Sequence, residues 1–177
     1  MNNLKTYETQ RLILKQTSID DAGFILELLN TPKWLKYIGD RHVHSVKDAI
    51  EYIATKITPQ FDRLGFGNFI VIRKNDNTKV GTCGLYDREG IDGVDIGFGF
   101  LPDYEKKGYA FEASIKIKEL ALETFKLKQI NAITDLENLA SQKLLAKLGL
   151  KYIKNIKLPD SEDELMFYQL FNTQNEL

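Results

Sequence analysis

The sequence has few of the residues that build metal, redox or disulfide sites: one cysteine and two histidines among 177 residues. A single cysteine can form neither an internal disulfide nor a Cys-x-x-Cys pair, and we expect Cys83 to lie in the core. His42 and His44 have His-x-His spacing, but we identify no third ligand beside them in the sequence. We therefore expect no metal site.

The sequence also lacks long apolar runs and an excess of charge of either sign. No window approaches the roughly 18 apolar residues of a membrane-spanning helix, and the N-terminal residues do not resemble a signal peptide. Lys and Arg total 24 against 25 for Asp and Glu, which gives a net charge of −1 and argues against a basic nucleic-acid binder. We expect a cytoplasmic protein that binds neither membranes nor nucleic acid directly. The oligomeric state is left open.

Hydrophobic periodicity predicts alternating strands and helices within one domain spanning residues 1–177. We expect strands over residues 5–15, 69–72, 80–86, 94–101, 130–134, 151–158 and 165–171. We expect helices after Ser18 and Ser45, each of which has an aspartate three residues later, from Gly108 onward, and over residues 138–148. We expect the first of these helices to stop at Asn30-Thr-Pro32 and a loop with Trp34, Tyr37, Gly39 and Arg41 to follow. This order predicts an α/β fold with a mixed sheet. Gly97 and Gly99, inside the strand expected over residues 94–101, indicate a bulge or a close approach by another group.

The strongest chemical signal is the segment from Asp95 to Ala110, where a glycine-containing strand leads through a polar loop into a helix at Gly108. The first N–H groups of a helix have no internal partner, and the helix dipole adds partial positive charge there. Such an end binds phosphates when no side chain blocks the approach. Lys106 and Lys107 add positive charge. Taken alone, this loop is equally compatible with an ordinary surface turn before a helix.

The whole segment resembles the coenzyme A loop of the GNAT acetyltransferases, Arg/Gln-x-x-Gly-x-Gly/Ala, in the frame Glu105-Lys-Lys-Gly-Tyr-Ala110. Glu105 departs from the first position of that pattern. The sequence from Asp95 to Ala113 is most similar to the RimJ/RimL-like branch, which includes the ribosomal-protein N-terminal acetyltransferases. Two further segments carry the resemblance, Thr9 to Leu14 and Asn138 to Gly149.

The resemblance implies an α/β (α+β) fold with a mixed, mostly antiparallel sheet flanked by helices, a β-bulge, and a split between strands 4 and 5. It implies acetyl-CoA as cosubstrate and a primary amine, either a protein N-terminus or a small molecule, as acceptor. By the same resemblance, the cofactor contacts are the backbone groups of Phe100 and Leu101, the amides of Lys106, Lys107, Gly108, Tyr109 and Ala110, and the side chain of Asn138. For Asn138, helix capping is the alternative.

The chemistry needs a neutral amine, a stabilised carbonyl oxygen and a proton for the leaving thiolate. Many family members supply that proton from a tyrosine at the position of Leu145, so the tyrosine is missing here. Ser141, one helical turn after Asn138, lies where RimL-like members place a serine near the sulfur, and by that resemblance we predict it as the donor. An ordinary helix-surface serine is the alternative. Asp95 is the predicted base, directly or through water, and Asp92 is the alternative.

Four residues are predicted to line the acceptor pocket: Trp34, Tyr37, Arg41 and Tyr86. The acidic run of Asp160, Glu162, Asp163 and Glu164 attracts a cationic acceptor or, as the simpler interpretation, forms a solvated turn. Two other hypotheses stay open at this point. One is a non-catalytic module that binds acyl-CoA, and the other is an α/β interaction domain that binds no coenzyme A.

Overall fold

The computed structural model describes residues 4–159 and 161–172. Its strands are Thr6–Glu8 (β1), Leu12–Gln16 (β2), Asn68–Arg73 (β3), Thr78–Asp87 (β4), Val94–Phe100 (β5), Gln129–Asp135 (β6), Lys151–Lys157 (β7) and Glu164–Phe171 (β8). They form one sheet in the order β1-β2-β3-β4-β5-β6-β8-β7. The predicted mixed, mostly antiparallel α/β fold is confirmed.

The α-helices among these residues are Ala22–Leu29 (α1), Pro32–Tyr37 (α2), Val46–Tyr52 (α3), Thr58–Leu64 (α4), Tyr109–Glu119 (α5) and Leu139–Lys147 (α6). A π-helical turn, Ile53–Ile57, joins α3 to α4, and a second, Leu120–Thr124, extends α5. Throughout the part of the chain that the structure describes, no helix combines the length and apolar character needed to cross a membrane.

The chain divides into two compact units, and the boundary passes through β4 after Gly84 and through β5 after Gly97. One unit holds the chain up to Gly84 together with Phe98–Ala113, and the other holds Leu85–Gly97 and Ser114–Leu177. The prediction of one domain over residues 1–177 stays a prediction.

In the first unit, the antiparallel strands β1 to β4 pack against helices. The side chains of Leu12, Leu14 and Phe69 are fully buried. A core cluster gathers the inward faces of α1 and α3, and consists of Ala22, Phe24, Ile25, Leu28, Leu29, Val43, Ala49, Ile53, Ile57 and Ile70. Within α1, the buried residues Ala22, Ile25 and Leu29 recur at helical spacing, which explains why this segment folds as a helix.

Residues 5–15 do not form the single strand that alternation predicted. The chain turns at Thr9, whose N–H donates to Leu12 O at 2.9 Å and whose Oγ accepts from Leu12 N at 3.0 Å. The segment is therefore the hairpin β1–β2, with Tyr7 opposite Leu14. A threonine side chain that bonds the nearby backbone favours such a turn over continued strand.

Both predicted helix starts are confirmed. Ser18 N donates to the Asp21 carboxylate at 2.9 Å, and Ser45 Oγ accepts from Asp48 N at 3.1 Å. Helix α1 ends at Leu29 as expected, but the following residues form α2 instead of the predicted loop. Proline at the first position of a helix is preorganised for it, since its missing N–H would have no partner there. Pro32 therefore ends one helix and begins the next.

In the second unit, β6 pairs antiparallel with β8, and β8 pairs antiparallel with β7. Strand β5 pairs with β6 in parallel at Asp95 and Asn131. Register shifts lie between Val71 and Ile72 in the β3–β4 ladder and between Tyr152 and Lys154 in the β7–β8 ladder. The bulge predicted at Gly97 and Gly99 in β5 and the split predicted beside that strand stay predictions.

Candidate functional site

The loop before α5 has the backbone geometry of an anion site. Lys106 and Gly108 both have positive φ angles, 56° and 82°, on either side of Lys107. The first backbone bond of the helix runs from Glu112 N to Gly108 O at 3.0 Å, so the N–H groups of the first turn have no partner within the helix. Left-handed residues of this kind turn successive N–H groups toward a common concave side, where anions bind.

A brace from the N-terminal hairpin holds this loop. The Glu112 carboxylate accepts from Arg11 N at 2.8 Å, from Arg11 Nε at 2.6 Å and from Thr9 Oγ at 2.6 Å. Arg11 also donates from Nη1 to Lys107 O at 3.1 Å. Burial opposes ionisation of Glu112, yet the hydrogen bonds from Thr9 and Arg11 hold its pKa below the usual value. Glu112, the acidic residue in the first turn of α5, is therefore paired with Arg11, and its charge does not cancel the partial positive charge at the start of that helix.

Cations and aromatic rings surround the same loop. The Arg11 guanidinium lies 4.7 Å from the centroid of the Tyr109 ring. Arg73 and Lys107 lie 5.1 Å and 5.5 Å from the centroid of Tyr104. Such cation–π contacts order side chains that would otherwise be mobile. Glu105, at the position where the family pattern has Arg or Gln, forms an ion pair with Lys33.

Phe100 and Leu101, predicted to offer backbone groups to a ligand, lie at the end of β5. Leu101 N donates to Val80 O at 2.9 Å, and Leu101 O accepts from Tyr104 N at 2.9 Å. Its N–H is therefore used within the chain, and only the second lone pair of its carbonyl oxygen is left to accept a bond. The Phe100 ring packs on Gly81, where an added Cβ would lie 2.5 Å from Phe100 Cδ1.

The close approach predicted at the two glycines of β5 is confirmed, and in the structure aromatic rings make it. An added Cβ would lie 2.8 Å from the Tyr86 ring at Gly97 and 2.6 Å from the Trp34 ring at Gly99. Within the described residues, no acceptor reaches the buried indole N–H of Trp34. A buried donor without a partner costs about 1–3 kcal/mol, and the Trp34 ring packs against the core cluster of the first unit.

The other residues predicted for the acceptor pocket have more ordinary surroundings. Tyr37 is half-buried, and Lys36 Nζ lies 4.9 Å from its ring centroid. Arg41 is exposed. In the acidic run, Asp160 lies outside the described residues, Glu162 pairs with Lys157 at 3.1 Å, and Asp163 and Glu164 are exposed. This geometry favours the simpler interpretation of a solvated turn.

Asp95, the predicted base, is almost fully buried, with 1% of its surface exposed. Its two oxygens accept from Arg88 Nε at 3.1 Å and from Arg88 Nη2 at 3.2 Å. Burial raises the pKa of Asp95, and the charge and hydrogen bonds of Arg88 oppose that rise. Arg88 also lies 6.0 Å from the centroid of the Tyr86 ring. The sequence analysis did not identify Arg88. It lies seven residues before Asp95 on the other side of a turn, and that spacing could have indicated an ion pair between the two.

The alternative base, Asp92, has an exposed side chain. Its carbonyl accepts from Asn131 Nδ2 at 2.7 Å and from Gln129 Nε2 at 3.2 Å. Asn131 in turn accepts from Gln169 Nε2 at 2.9 Å. These amide side chains, which sequence reasoning did not identify, fix the backbone of the turn before β5 and leave the Asp92 carboxylate in solvent.

Asn138 and Ser141 lie at the start of α6. Asn138 is its N-cap, and its Oδ1 accepts from Ser141 N at 3.2 Å. The capping alternative for Asn138 is therefore present, and its Nδ2 group remains able to donate. Ser141 is half-buried, whereas Leu145, at the position of the missing tyrosine, is buried in the core. Cys83 is fully buried, as expected.

A family model described as an acetyltransferase (GNAT) domain matches residues 11–151. Among known proteins similar to the chain, the uncharacterized N-acetyltransferase YoaA of Bacillus subtilis is 27% identical over 145 residues, or 81% of each chain.

Two solved structures share the fold at low sequence identity. Ribosomal-protein-S5-alanine acetyltransferase from Vibrio fischeri has a TM-score of 0.79 at 18% identity, covering 96% of this chain and 98% of that one. RimL, a ribosomal alpha-N-protein acetyltransferase in complex with coenzyme A, has a TM-score of 0.80 at 12% identity, covering 94% and 98%.

Proposed function

The chain belongs to the GNAT acetyltransferase family, and we propose that it moves an acetyl group from acetyl-CoA to the α-amine of a protein N-terminus or to an activated small amine. N-acetyltransferase relatives support acetyl transfer over a module that only binds acyl-CoA. The RimJ/RimL-like branch is part of the proposal, supported by the Asp95–Ala113 sequence pattern and by ribosomal-protein acetyltransferases among the structural neighbours.

The observation that carries the proposal is the braced loop before α5. A pyrophosphate needs several N–H donors aimed at one point and no competing negative charge. Positive φ angles at Lys106 and Gly108 meet the first need, and the pairing of Glu112 with Arg11 meets the second. The amides of residues 106–110 are thus the proposed pyrophosphate ligands, and the charge of Lys107 adds a weaker, partly screened attraction.

The reaction is a direct transfer. The amine nitrogen forms a bond to the thioester carbonyl carbon, the carbon–sulfur bond breaks, and the thiolate takes a proton. We assign that proton to the Ser141 hydroxyl, since the usual tyrosine position holds the buried Leu145. The acetylated nitrogen loses its extra proton to solvent, and Ser141 regains one from solvent. Asn138 holds the pantetheine arm through its Nδ2 group, because Oδ1 caps the helix.

The acceptor loses its proton mainly to solvent. Asp95 was the predicted base, but its two oxygens are bound by Arg88 and little of it is exposed. The raised pKa of Asp95 favours uptake of a proton, but both of its oxygens already accept from Arg88, so we propose that it positions Arg88. The acceptor must then be partly neutral on its own: an α-amine is about 14% neutral at pH 7, against about 0.04% for a lysine. The site therefore favours α-amines.

Trp34 is the proposed contact on the acceptor side. Its indole N–H is a buried donor that lacks a partner in the described residues, and its ring packs on Gly99 near the end of β5. A peptide acceptor offers carbonyl oxygens that satisfy such a donor. Tyr37, Arg41 and Tyr86 remain proposed as further contacts.

The test is release of the coenzyme A thiol in the presence of a panel of acceptors. Peptides with free N-termini should be acetylated first, polyamines next, and free lysine side chains least. Exclusive transfer to alcohols would contradict an amine acceptor. Tight binding of acetyl-CoA without turnover across a broad amine panel would favour the non-catalytic alternative.

A further inference from the structure

Both histidines of the chain face one carboxylate on the segment between α2 and α3. His42 Nδ1 lies 3.7 Å from Asp40 Oδ2, and His44 Nε2 lies 3.5 Å from the same oxygen. We propose that Asp40, His42 and His44 form a binding site for a divalent first-row transition ion such as Zn²⁺, Ni²⁺ or Cu²⁺. Sequence reasoning found no third ligand beside the histidines, and the structure supplies one in Asp40.

The fold places the two imidazoles on one side of this segment. Val43, between them, is 2% exposed and belongs to the core cluster of the first unit. Its carbonyl accepts from Asn30 Nδ2 at 2.8 Å. Val43 is anchored inward, whereas His42 and His44 on either side of it are exposed, and their ring centroids lie 6.4 Å apart.

The carboxylate is held in place by the backbone beside it. Asp40 Oδ1 accepts from His42 N at 2.7 Å, which leaves Oδ2 for the imidazoles. His42 has a φ of 57°, a left-handed conformation that is uncommon outside glycine but in which histidine is enriched. On the other side, His44 N donates to Asp48 Oδ2 at 3.0 Å. These hydrogen bonds hold the Asp40 carboxylate and the backbone at both histidines without using the proposed ligand atoms.

The distances fit an ion. A tetrahedral ion with bonds of about 2.1 Å separates its ligand atoms by roughly 3.4 Å, close to the two observed carboxylate–imidazole distances. All three ligand atoms lie within 4.8 Å of one another. The side chains are exposed, so a small rotation of the imidazoles closes the remaining gap without disturbing the core.

The donor set selects the class of ion. Two imidazole nitrogens and one carboxylate oxygen suit zinc, nickel and copper, whereas magnesium and calcium prefer sites made only of oxygen. Three protein ligands leave at least one coordination position for water or an exogenous group.

The experiment uses full-length protein without a polyhistidine tag and titrates it with ZnCl₂. Because the chain has only two histidines, ring ¹H–¹⁵N NMR spectra report on the site directly. Both imidazoles should shift together with a stoichiometry of one ion per chain, and calorimetry should give the same stoichiometry. Mg²⁺ should produce neither effect.

Asp40→Asn and His44→Gln should each weaken zinc binding by more than about tenfold, a loss that even supporting residues of metal sites can produce. Asp62→Asn, which changes an exposed acid on α4, is the matched control and should bind zinc like wild type. Thermal unfolding without metal should be similar for all variants, since every changed side chain is exposed. The proposal is overturned if the imidazole signals do not move with zinc, if they move independently, or if Asp40→Asn binds as tightly as wild type.

Discussion

Replacing Gly108 by alanine tests the proposed cofactor loop, because the positive φ angle at this position favours glycine. A non-glycine residue in a left-handed conformation costs about 1–2 kcal/mol, and the φ of Gly108 is 82°. The new Cβ would also lie 3.1 Å from Arg11 Nη2, on the guanidinium that holds Lys107 O. The loop relieves this strain by leaving the conformation that aligns its amides.

The expected loss of affinity follows from that strain. If the binding-competent conformation becomes less favourable by about 1–2 kcal/mol, the dissociation constant for acetyl-CoA rises by roughly 5- to 30-fold. Isothermal calorimetry with acetyl-CoA measures this change, and Gly108→Val should exceed it because its side chain is larger. Chemical denaturation gives the accompanying loss of folding stability.

Gly65→Ala is the matched control. Gly65 also has a positive φ, 77°, and an added Cβ there would lie 3.4 Å from the tip of another flexible cation, Lys5 Nζ. Both variants should lose a similar amount of folding stability, but only Gly108→Ala should lose acetyl-CoA affinity. Wild-type affinity in Gly108→Ala would refute the assignment of this loop to the pyrophosphate.

Three further predictions concern the groups around the site. Ser141→Ala should lower kcat by about 10- to 150-fold with little change in acetyl-CoA affinity, because the hydroxyl donates its proton only as the carbon–sulfur bond breaks. If kcat is unchanged while chemistry is rate-limiting, water is the proton donor. The lowered pKa of Glu112 contributes folding stability that is fully present above about pH 4.3 and is lost as the pH falls through the pKa of the folded state. The free energies of unfolding of wild type and Glu112→Gln, measured by denaturant melts, should therefore converge in acid. A difference that stays constant with pH would contradict this. Arg88→Met should cost about 3 kcal/mol of folding stability, because it leaves the buried Asp95 charge unpaired. The double variant Arg88→Met, Asp95→Asn should recover part of that loss. If it recovers none, the ion pair does not account for the cost.

Local patterns predicted most of the fold. The serine–aspartate spacings at Ser18 and Ser45 mark real helix starts because each pairing satisfies N–H groups that the helix leaves free. The prediction of one strand over residues 5–15 was wrong because the Thr9 side chain makes a turn there. An alternating apolar pattern does not reveal a turn that depends on a single side chain. The predicted loop after Thr31 was wrong because Pro32 can open a helix as well as end one.

The candidate site was only partly predictable because its supports are distant in sequence. The 106–110 loop is contiguous, so its glycine and lysines were visible in one stretch of sequence. The brace joins Arg11 to Glu112 across about a hundred positions, and a single sequence carries no sign of such a pair. The burial of Asp95 against Arg88 likewise depends on how β5 packs, which the strand pattern alone does not specify.

Acetyl transfer to an α-amine can be read from the reaction products of acetyl-CoA and a peptide that has one free N-terminus and one internal lysine. We expect one acetyl group on the peptide α-amine for each coenzyme A thiol released, with the protein itself unmodified, since the transfer is direct and Cys83 is buried. The same peptide with a blocked N-terminus should react far more slowly. Acetyl groups retained on the protein, or thiol release with no acetylated amine, would contradict direct transfer to an α-amine.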